Sequence, residues 1–419
     1  MPTHPSSQQV AITGLGVIGA TGRGVAAMDQ ALAQGRDGLG RLDLWQCELA
    51  ADFPVGQYRG NLDNDLREAR PGTFAARGGD RLLQRMSRSD KLSMVAALEA
   101  VAQAGLTATA LAEGRTGCYL GQSVCGTLQS EQAYAAYRGG ARRRETLMAL
   151  FQHEGANGPD HLADVLGLPG PALSFMTACS SGANAIGLAA EAIRRGEADI
   201  MLAGGGDSLS RIAFYGFCSL QVTSPDGPRP FDAARRGMSV GEGAGMVVLE
   251  SAAHAAARGA RPLAWLGGYG HSCDAHHLTA PHPEGHGALA AMRQAVSRAG
   301  LKLADIGYIN AHGTATQDND NTEALAVRTL FGENAVPISS VKRWFGHTLA
   351  ASGAIEAAVC VRALQQGVLP LNLGLRELFA GAGVDVLRED RKAPGLRHVL
   401  SNSFGFGGNN AALVFSRAE

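Results

Sequence analysis

Three short stretches, far apart in the chain, carry the side chains best suited to chemistry. They are Thr177-Ala178-Cys179-Ser180-Ser181-Gly182, His312-Gly313-Thr314-Ala315-Thr316, and Lys342 followed by Gly346-His347. A cysteine can act as a nucleophile and hold an acyl group as a thioester. Two histidines can donate hydrogen bonds to a developing negative charge or move a proton. Cys179 precedes a run of small residues, Gly182 to Ala192, that reads as a helix. A thiol at a helix N-terminus feels the positive end of the macrodipole, which predicts a lowered pKa. Its small neighbours permit a sharp strand-to-helix turn that presents sulfur to a substrate. The competing reading is a buried structural cysteine, the commonest fate of a free thiol.

His312 ends the apolar stretch Tyr308-Ile309-Asn310-Ala311 at a polar turn, a common place for a catalytic imidazole and also for a hydrogen-bonded structural one. His347 follows a glycine and precedes the helical pattern Leu349 to Ala358, where the dipole would hold it neutral. Lys342 is placed to tune that site. The segment Ser401-Asn402-Ser403-Phe404-Gly405-Phe406-Gly407-Gly408 sets two phenylalanines among glycines. Accessible amides beside a movable apolar wall suit an oxyanion hole next to an apolar substrate; the plainer reading is a turn before the last strand.

Alternating strand and helix patterns position these groups. Val10-Ala11-Ile12 enters a glycine turn, and Leu92, Val95, Leu98 and Val101 recur at helical spacing between Asp90 and Ala104. Short apolar runs at Gly117–Gly121, Ile200–Gly204 and Met246–Glu250 read as strands covered on both faces, which implies α/β layers. Ala252 to Arg261 reads as a helix leading into a second half. Ser181-Gly182-Ala183 opens a helical stretch closed at Gly196, and Ser352-Gly353-Ala354 opens one closed at Gly367, with the same spacing. Cys179 lies just before the first and His347 just before the second, as if two related halves each offered a helix N-terminus to one site.

Hydrophobic residues make up 45% of the 419-residue chain and charged residues 18%, which favours a well-buried protein over a disordered one. A formal net charge of −1 gives no support for nucleic acid or a membrane as partner. The seven cysteines are scattered without a C-x-x-C pair, which predicts a reducing, cytoplasmic setting without a disulfide framework. Met1 to Gln9 has no basic segment ahead of an apolar one, so no secretory signal or membrane span is expected.

Together the four segments, with Ile12-Thr13-Gly14-Leu15-Gly16, Arg229-Pro230-Phe231-Asp232 and Gly241-Glu242-Gly243-Ala244-Gly245, resemble the elongating β-ketoacyl-acyl-carrier-protein synthases of fatty-acid and polyketide pathways, nearly end to end. The resemblance implies a thiolase-like, five-layered α-β-α-β-α fold of two pseudo-symmetric halves, placed here at residues 1–260 and 261–419. It implies an acyltransferase that condenses a Cys179-bound acyl group with malonyl-acyl carrier protein. By the same resemblance, His312 and His347 promote decarboxylation and hold the enolate, while Lys342 and Glu356 order the second histidine. The amides of Cys179 and Phe406 form the oxyanion hole, Phe406 and Phe404 gate the acyl pocket, and Thr314 and Thr316 meet the pantetheine arm. The pocket wall falls at Val124, Cys125 and Phe217, with Phe175 and Met176 narrowing the tunnel. The implied partners are an acyl carrier protein and a second subunit, identical or a paralogous chain-length factor. No cofactor is needed beyond the carrier's phosphopantetheine.

Where the family usually shows Gly-Ala-Ala-Gly, this chain has Ala350-Ala351-Ser352-Gly353; Arg343-Trp344-Phe345 is bulkier than usual, and Asn409 stands where threonine is frequent. These departures suggest a specialised synthase. Arg81, Arg85 and Arg88 would share one helical face as a dock for an acidic carrier protein, with Arg142-Arg143-Arg144 a weaker alternative. His271, Cys273, Asp274, His276, His277, His282 and His286 look metal-like, but their spacing matches no standard site, so no metal is expected. A thiolase would need a second reactive cysteine near the C-terminus, where Asn402 and Phe404 stand. A chain-length factor would lack Cys179, and a cysteine hydrolase would need a residue to orient its base.

Overall fold

The apolar run at Val10 forms the first strand of a large mixed sheet. The structure, a computed structural model, describes residues 9–141, 144 and 148–418. Its principal strands are β1 (Val10–Gly19), β2 (Thr116–Gly121), β3 (Ala172–Phe175), β4 (Ile200–Asp207), β5 (Gly243–Ser251) and β6 (Ala264–Cys273). They continue with β7 (Tyr308–Asn310), β8 (Pro337–Ser339), β9 (Asp385–Val386), β10 (His398–Gly405) and β11 (Asn409–Arg417). The spatial order is β9-β8-β7-β10-β11-β6-β1-β5-β4-β2-β3.

That order reads alike outward from the β1–β6 junction, where Val10 to Ile12 pair antiparallel with Leu266 to Ala264. On one side β1 pairs antiparallel with β5 and β5 with β4, after which β2 and β3 add in parallel. On the other side β6 pairs antiparallel with β11 and β11 with β10, after which β7 and β8 add in parallel. β1, β5 and β4 are buried at nearly every position, as expected for strands covered on both faces.

Six helices matter for the site: α1 (Gly79–Arg85), α2 (Arg88–Ala104), α3 (Ser181–Arg194), α4 (His286–Arg298), α5 (Gln317–Phe331) and α6 (Ser352–Gln366). α2 covers β1, β4 and β5 on one outer face, while α4, backed by α5, covers β6, β10 and β11 on the other. Between the two half-sheets lie α3 and α6, in contact with each other and with strands of both. The result is five layers, α-β-α-β-α, with one apolar core around the central helices and one under each outer layer.

The repeated Ser-Gly-Ala explains how the central helices fit. A Cβ on Gly353 would lie 2.8 Å from the Ala183 Cβ and 2.7 Å from the Ser403 Oγ, and one on Gly182 would lie 2.5 Å from the Ala350 carbonyl oxygen. Glycine lets the two helices approach closely at their starts. Each helix is entered alike: Ala178 (φ 51°) and Leu349 (φ 52°) take left-handed conformations that non-glycine residues rarely adopt, followed by a short 3₁₀ turn. α3 and α6 end where the glycines were expected to stop them, with Gly196 at φ 72° and Gly367 at φ 62°.

Other expectations need adjustment. The helix expected over Ala252 to Arg261 is shorter, Ala252–Ala257. α2 starts at Arg88, because Ser87 and Asp90 form a reciprocal capping box. That cap also breaks the proposed arginine face. Arg81 and Arg85 are exposed on α1, whereas Arg88 turns inward and pairs with buried Glu242 at 2.6 Å. Arg142 and Arg143 lie outside the described residues. No helix among the described residues is long and apolar enough to cross a membrane.

Candidate active site

β3 runs into the turn that carries Cys179 at the start of α3. Ser180 donates to the Thr177 carbonyl (2.8 Å), Ser181 to the Ala178 carbonyl (2.6 Å), and the Asn184 amide to the Thr177 hydroxyl (2.8 Å), so small polar residues hold the left-handed turn. The loop after β10 closes over it. A Cβ on Gly405 would sit 3.1 Å from the Cys179 nitrogen, so glycine permits the close approach that brings the Phe406 amide to the sulfur. The amides of Phe406 and of Cys179 itself lie near Sγ and favour its charged form.

His312 follows β7, and His347 lies in the turn ahead of α6; their rings stand 5.3 Å apart, nearly perpendicular. Both histidines are 2% exposed, which leaves their reactive edges only the cleft. Burial, reinforced by the Lys342 charge, pushes both well below the ordinary histidine pKa, and His347 further lowers His312. They are therefore neutral at physiological pH, held so by burial and the neighbouring Lys342 charge. The Ser352 hydroxyl lies 3.0 Å from Nδ1 of His347. Lys342 pairs with Glu356, both buried, and burial lifts the Glu356 carboxyl to about 7 against the pull of the lysine.

The thiol departs from expectation. Burial pushes Cys179 up to about 11, against the smaller lowering by Lys342 and the two amides. Desolvation of a buried thiolate outweighs the favourable dipoles, so the resting sulfur is a protonated thiol.

Cys179, His312 and His347 line one cleft of about 670 Å³, open to solvent. Thr314, Thr316, Phe404, Phe406 and Phe217 line it too, and the Phe217 ring packs 5.8 Å from that of Phe406. The hydroxyls of Thr314 and Thr316 are 2.8 Å apart. Val124 and Cys125 are not among its lining residues: they sit buried in the loop after β2, where the carboxylate of Asp207 accepts from their amides. Met176 is 61% exposed beside the edge strand β3. Sequence reasoning missed Glu323, whose carboxylate accepts from the His312 amide (2.9 Å), the Gly313 amide (2.8 Å) and the Asn402 side chain (3.0 Å). No spacing signal marks it, because it reaches the turn from α5.

The chain matches the family described as "Beta-ketoacyl synthase, N-terminal domain" over residues 7–255 and "Beta-ketoacyl synthase, C-terminal domain" over residues 263–376. The chain belongs to the β-ketoacyl synthase family. The synthase is similar to the putative polyketide beta-ketoacyl synthase 1 of Streptomyces halstedii, 36% identical over 433 residues and covering 99% of each chain. It is similar to the 3-oxoacyl-[acyl-carrier-protein] synthase 2 of Staphylococcus aureus (strain COL), 32% identical over 426 residues and 99% of each. Among solved structures, the ishigamide ketosynthase/chain length factor superposes with a TM-score of 0.89 at 31% identity, covering 98% of this chain and 99% of that one. The synthase is thus an acyltransferase of thiolase-like fold.

Proposed function

We propose that the synthase performs a decarboxylative Claisen condensation with Cys179 as acyl acceptor. The observation that carries this reading is one cleft lined by a thiol and two neutral imidazoles, with two amides near the sulfur. An acyl chain moves from a carrier thioester to Cys179, which gives up its proton and releases the carrier thiol. Malonyl-carrier protein then enters and loses carbon dioxide. The electron pair of the broken C–C bond becomes an enolate, whose oxygen accepts from Nε2–H of His312 and His347. Neutral donors are required here, because a protonated imidazole would quench the carbanion. With Ser352 donating to Nδ1, His347 carries its proton on Nε2, facing the enolate. The enolate carbon attacks the Cys179 acyl carbon, the Cys179 and Phe406 amides hold the oxyanion, and collapse returns the sulfur.

Lys342 and Glu356 keep the second imidazole neutral and in place, and Thr314 and Thr316 meet the pantetheine arm. Phe404 and Phe406 gate an acyl pocket bounded by Phe217. The mirrored strand order supports reading residues 1–260 and 261–419 as the two halves. The relatives support an acyl carrier protein, a second subunit, identical or a chain length factor, and a fatty-acid or polyketide pathway, and the scattered free cysteines support a cytoplasmic setting for it. Arg81 and Arg85 offer exposed positive charge to an acidic carrier.

The test incubates the protein with a panel of acyl-carrier proteins and malonyl-carrier protein and weighs the products. A two-carbon extension with carbon dioxide release, lost in Cys179→Ala, is expected. Acyl loading that survives in that variant would refute the nucleophile.

A further inference from the structure

The loop between β6 and α4, Asp274 to Gly285, forms one wall of the cleft through Thr279, Ala280 and Pro281, and it carries the histidines that the function leaves unused. Sequence spacing argued against a metal, yet the fold gathers some of these residues. One ligand atom each from His282, Glu284 and His286 lies within 4.8 Å of the other two. Nε2 of His286 stands 3.0 Å from the Glu284 carboxylate, and the His282 and His286 rings stack at 4.5 Å. The His276 ring lies a further 5.0 Å from His282. The other candidates are engaged elsewhere. His271 stacks on Tyr269, Cys273 reaches the Gly407 carbonyl, Asp274 accepts from Asn410, and Nδ1 of His277 accepts from the Thr279 amide.

Core packing does not explain this row of imidazoles, since His276, Glu284 and His286 are exposed and His282 is half-buried. Exposed charged and aromatic side chains lose rotamer entropy when clustered, a loss that an exposed pair and a ring stack offset only weakly. We propose that His282, Glu284 and His286 form a binding site for a divalent zinc-type cation, with His276 turning in as a fourth ligand. Two imidazole nitrogens and one carboxylate oxygen suit zinc and its borderline neighbours, and one carboxylate halves the cation's charge. The ligand atoms, all within 4.8 Å of one another, must settle about 3.3 Å apart, the spacing set by zinc–ligand bonds of roughly 2.0 Å. Exposed Glu284 and His286 and half-buried His282 can do this by rotamer changes. His282 gives up at most a weak bond in which Nδ1 accepts from the Glu284 amide at 3.2 Å.

The site bears on the cleft because the same loop holds the gate. The Gly407 amide donates to the Leu278 carbonyl at 2.7 Å, and the Asp274 amide to the Gly408 carbonyl at 2.9 Å. A cation joining His282 to the start of α4 would shorten the free part of this wall, stiffening the segment that supports Phe406.

The test is zinc binding to the untagged full chain carrying Cys179→Ala, which removes the cleft thiol as a competing ligand. Calorimetry and metal analysis after dialysis should show one equivalent bound. Adding His282→Ala and His286→Ala should weaken binding on the order of a hundredfold, whereas adding Cys273→Ser should leave it unchanged. Zinc should also slow hydrogen exchange at the Gly407 amide. Absence of saturable binding, equal affinity in the double-histidine variant, or loss of binding in Cys273→Ser would each overturn the site. Unchanged Gly407 exchange in the zinc-loaded protein would overturn its link to the gate.

Discussion

Substituting the glycine at the start of α6 tests whether the meeting of the two central helices sets the catalytic geometry. In Gly353→Ala the new methyl would meet the Ser403 Oγ at 2.7 Å, the Ala183 Cβ at 2.8 Å and the Ala183 nitrogen at 3.0 Å. Two of these contacts are with a backbone atom and a Cβ, which cannot rotate away, so α6 must move from α3 by several tenths of an ångström. Overpacking of this kind costs about 1–3 kcal/mol. The movement also separates groups that must cooperate, since Cys179 sits at the start of α3 and His347 just before α6. A misplacement of about 1 Å can cost on the order of a hundredfold in rate. Gly353→Ala is therefore expected to lower the melting temperature by a few degrees and condensation by roughly ten- to a hundredfold. Loading of Cys179, which needs no histidine from the other half, should fall much less. Gly395→Ala, with nothing within 4 Å of the new methyl, is the control and should behave as wild type. Wild-type melting and full turnover in Gly353→Ala would refute the idea that these helices are locked together.

Three further outcomes are expected. His312→Ala or His347→Ala should spare acyl loading while decarboxylation of malonyl-carrier protein falls at least about a hundredfold; equal loss in both half-reactions would contradict the assigned roles. Ser352→Ala removes the hydroxyl 3.0 Å from His347 Nδ1 and should slow decarboxylation about fivefold, the worth of roughly 1 kcal/mol, without changing loading. With the Cys179 thiol pushed up to about 11, its thiolate fraction grows tenfold per pH unit across the neutral range, so alkylation by iodoacetamide should still be climbing at pH 9. A plateau near the free-thiol value of about 8.5 or below would show that the amides and Lys342 overcome burial.

The pieces of the site that were legible in the sequence are those whose signal is local. Cys179 and His347 announced themselves by lying just ahead of helical stretches with matching Ser-Gly-Ala starts, and that repeat fits the mirrored strand order. Glycines marked helix ends correctly, because a left-handed residue is a property of one position. Quantities set by the surroundings were not legible. The Cys179 pKa rises because residues from both halves exclude water, which no neighbouring residue reveals. Arg88 fits the spacing of Arg81 and Arg85, yet a cap at Ser87 and the distant Glu242 turn it inward. Glu323 and the histidine row beside the cleft depend on which loops meet in space, and their spacing in the chain carries little trace of that.

The enzyme's architecture also separates what must stay constant from what is free to change. Cys179 and His347 sit at the starts of two glycine-matched helices deep between half-sheets, where a single added methyl collides, and His312 meets them from the end of β7. The Asp274–Gly285 wall, by contrast, is mostly exposed and lines the reaction space with four residues, Asp274, Thr279, Ala280 and Pro281, tied to the gate by two backbone bonds. Side chains on that rim can therefore change, and alter which guests enter, as long as the two backbone bonds that hold the gate are kept.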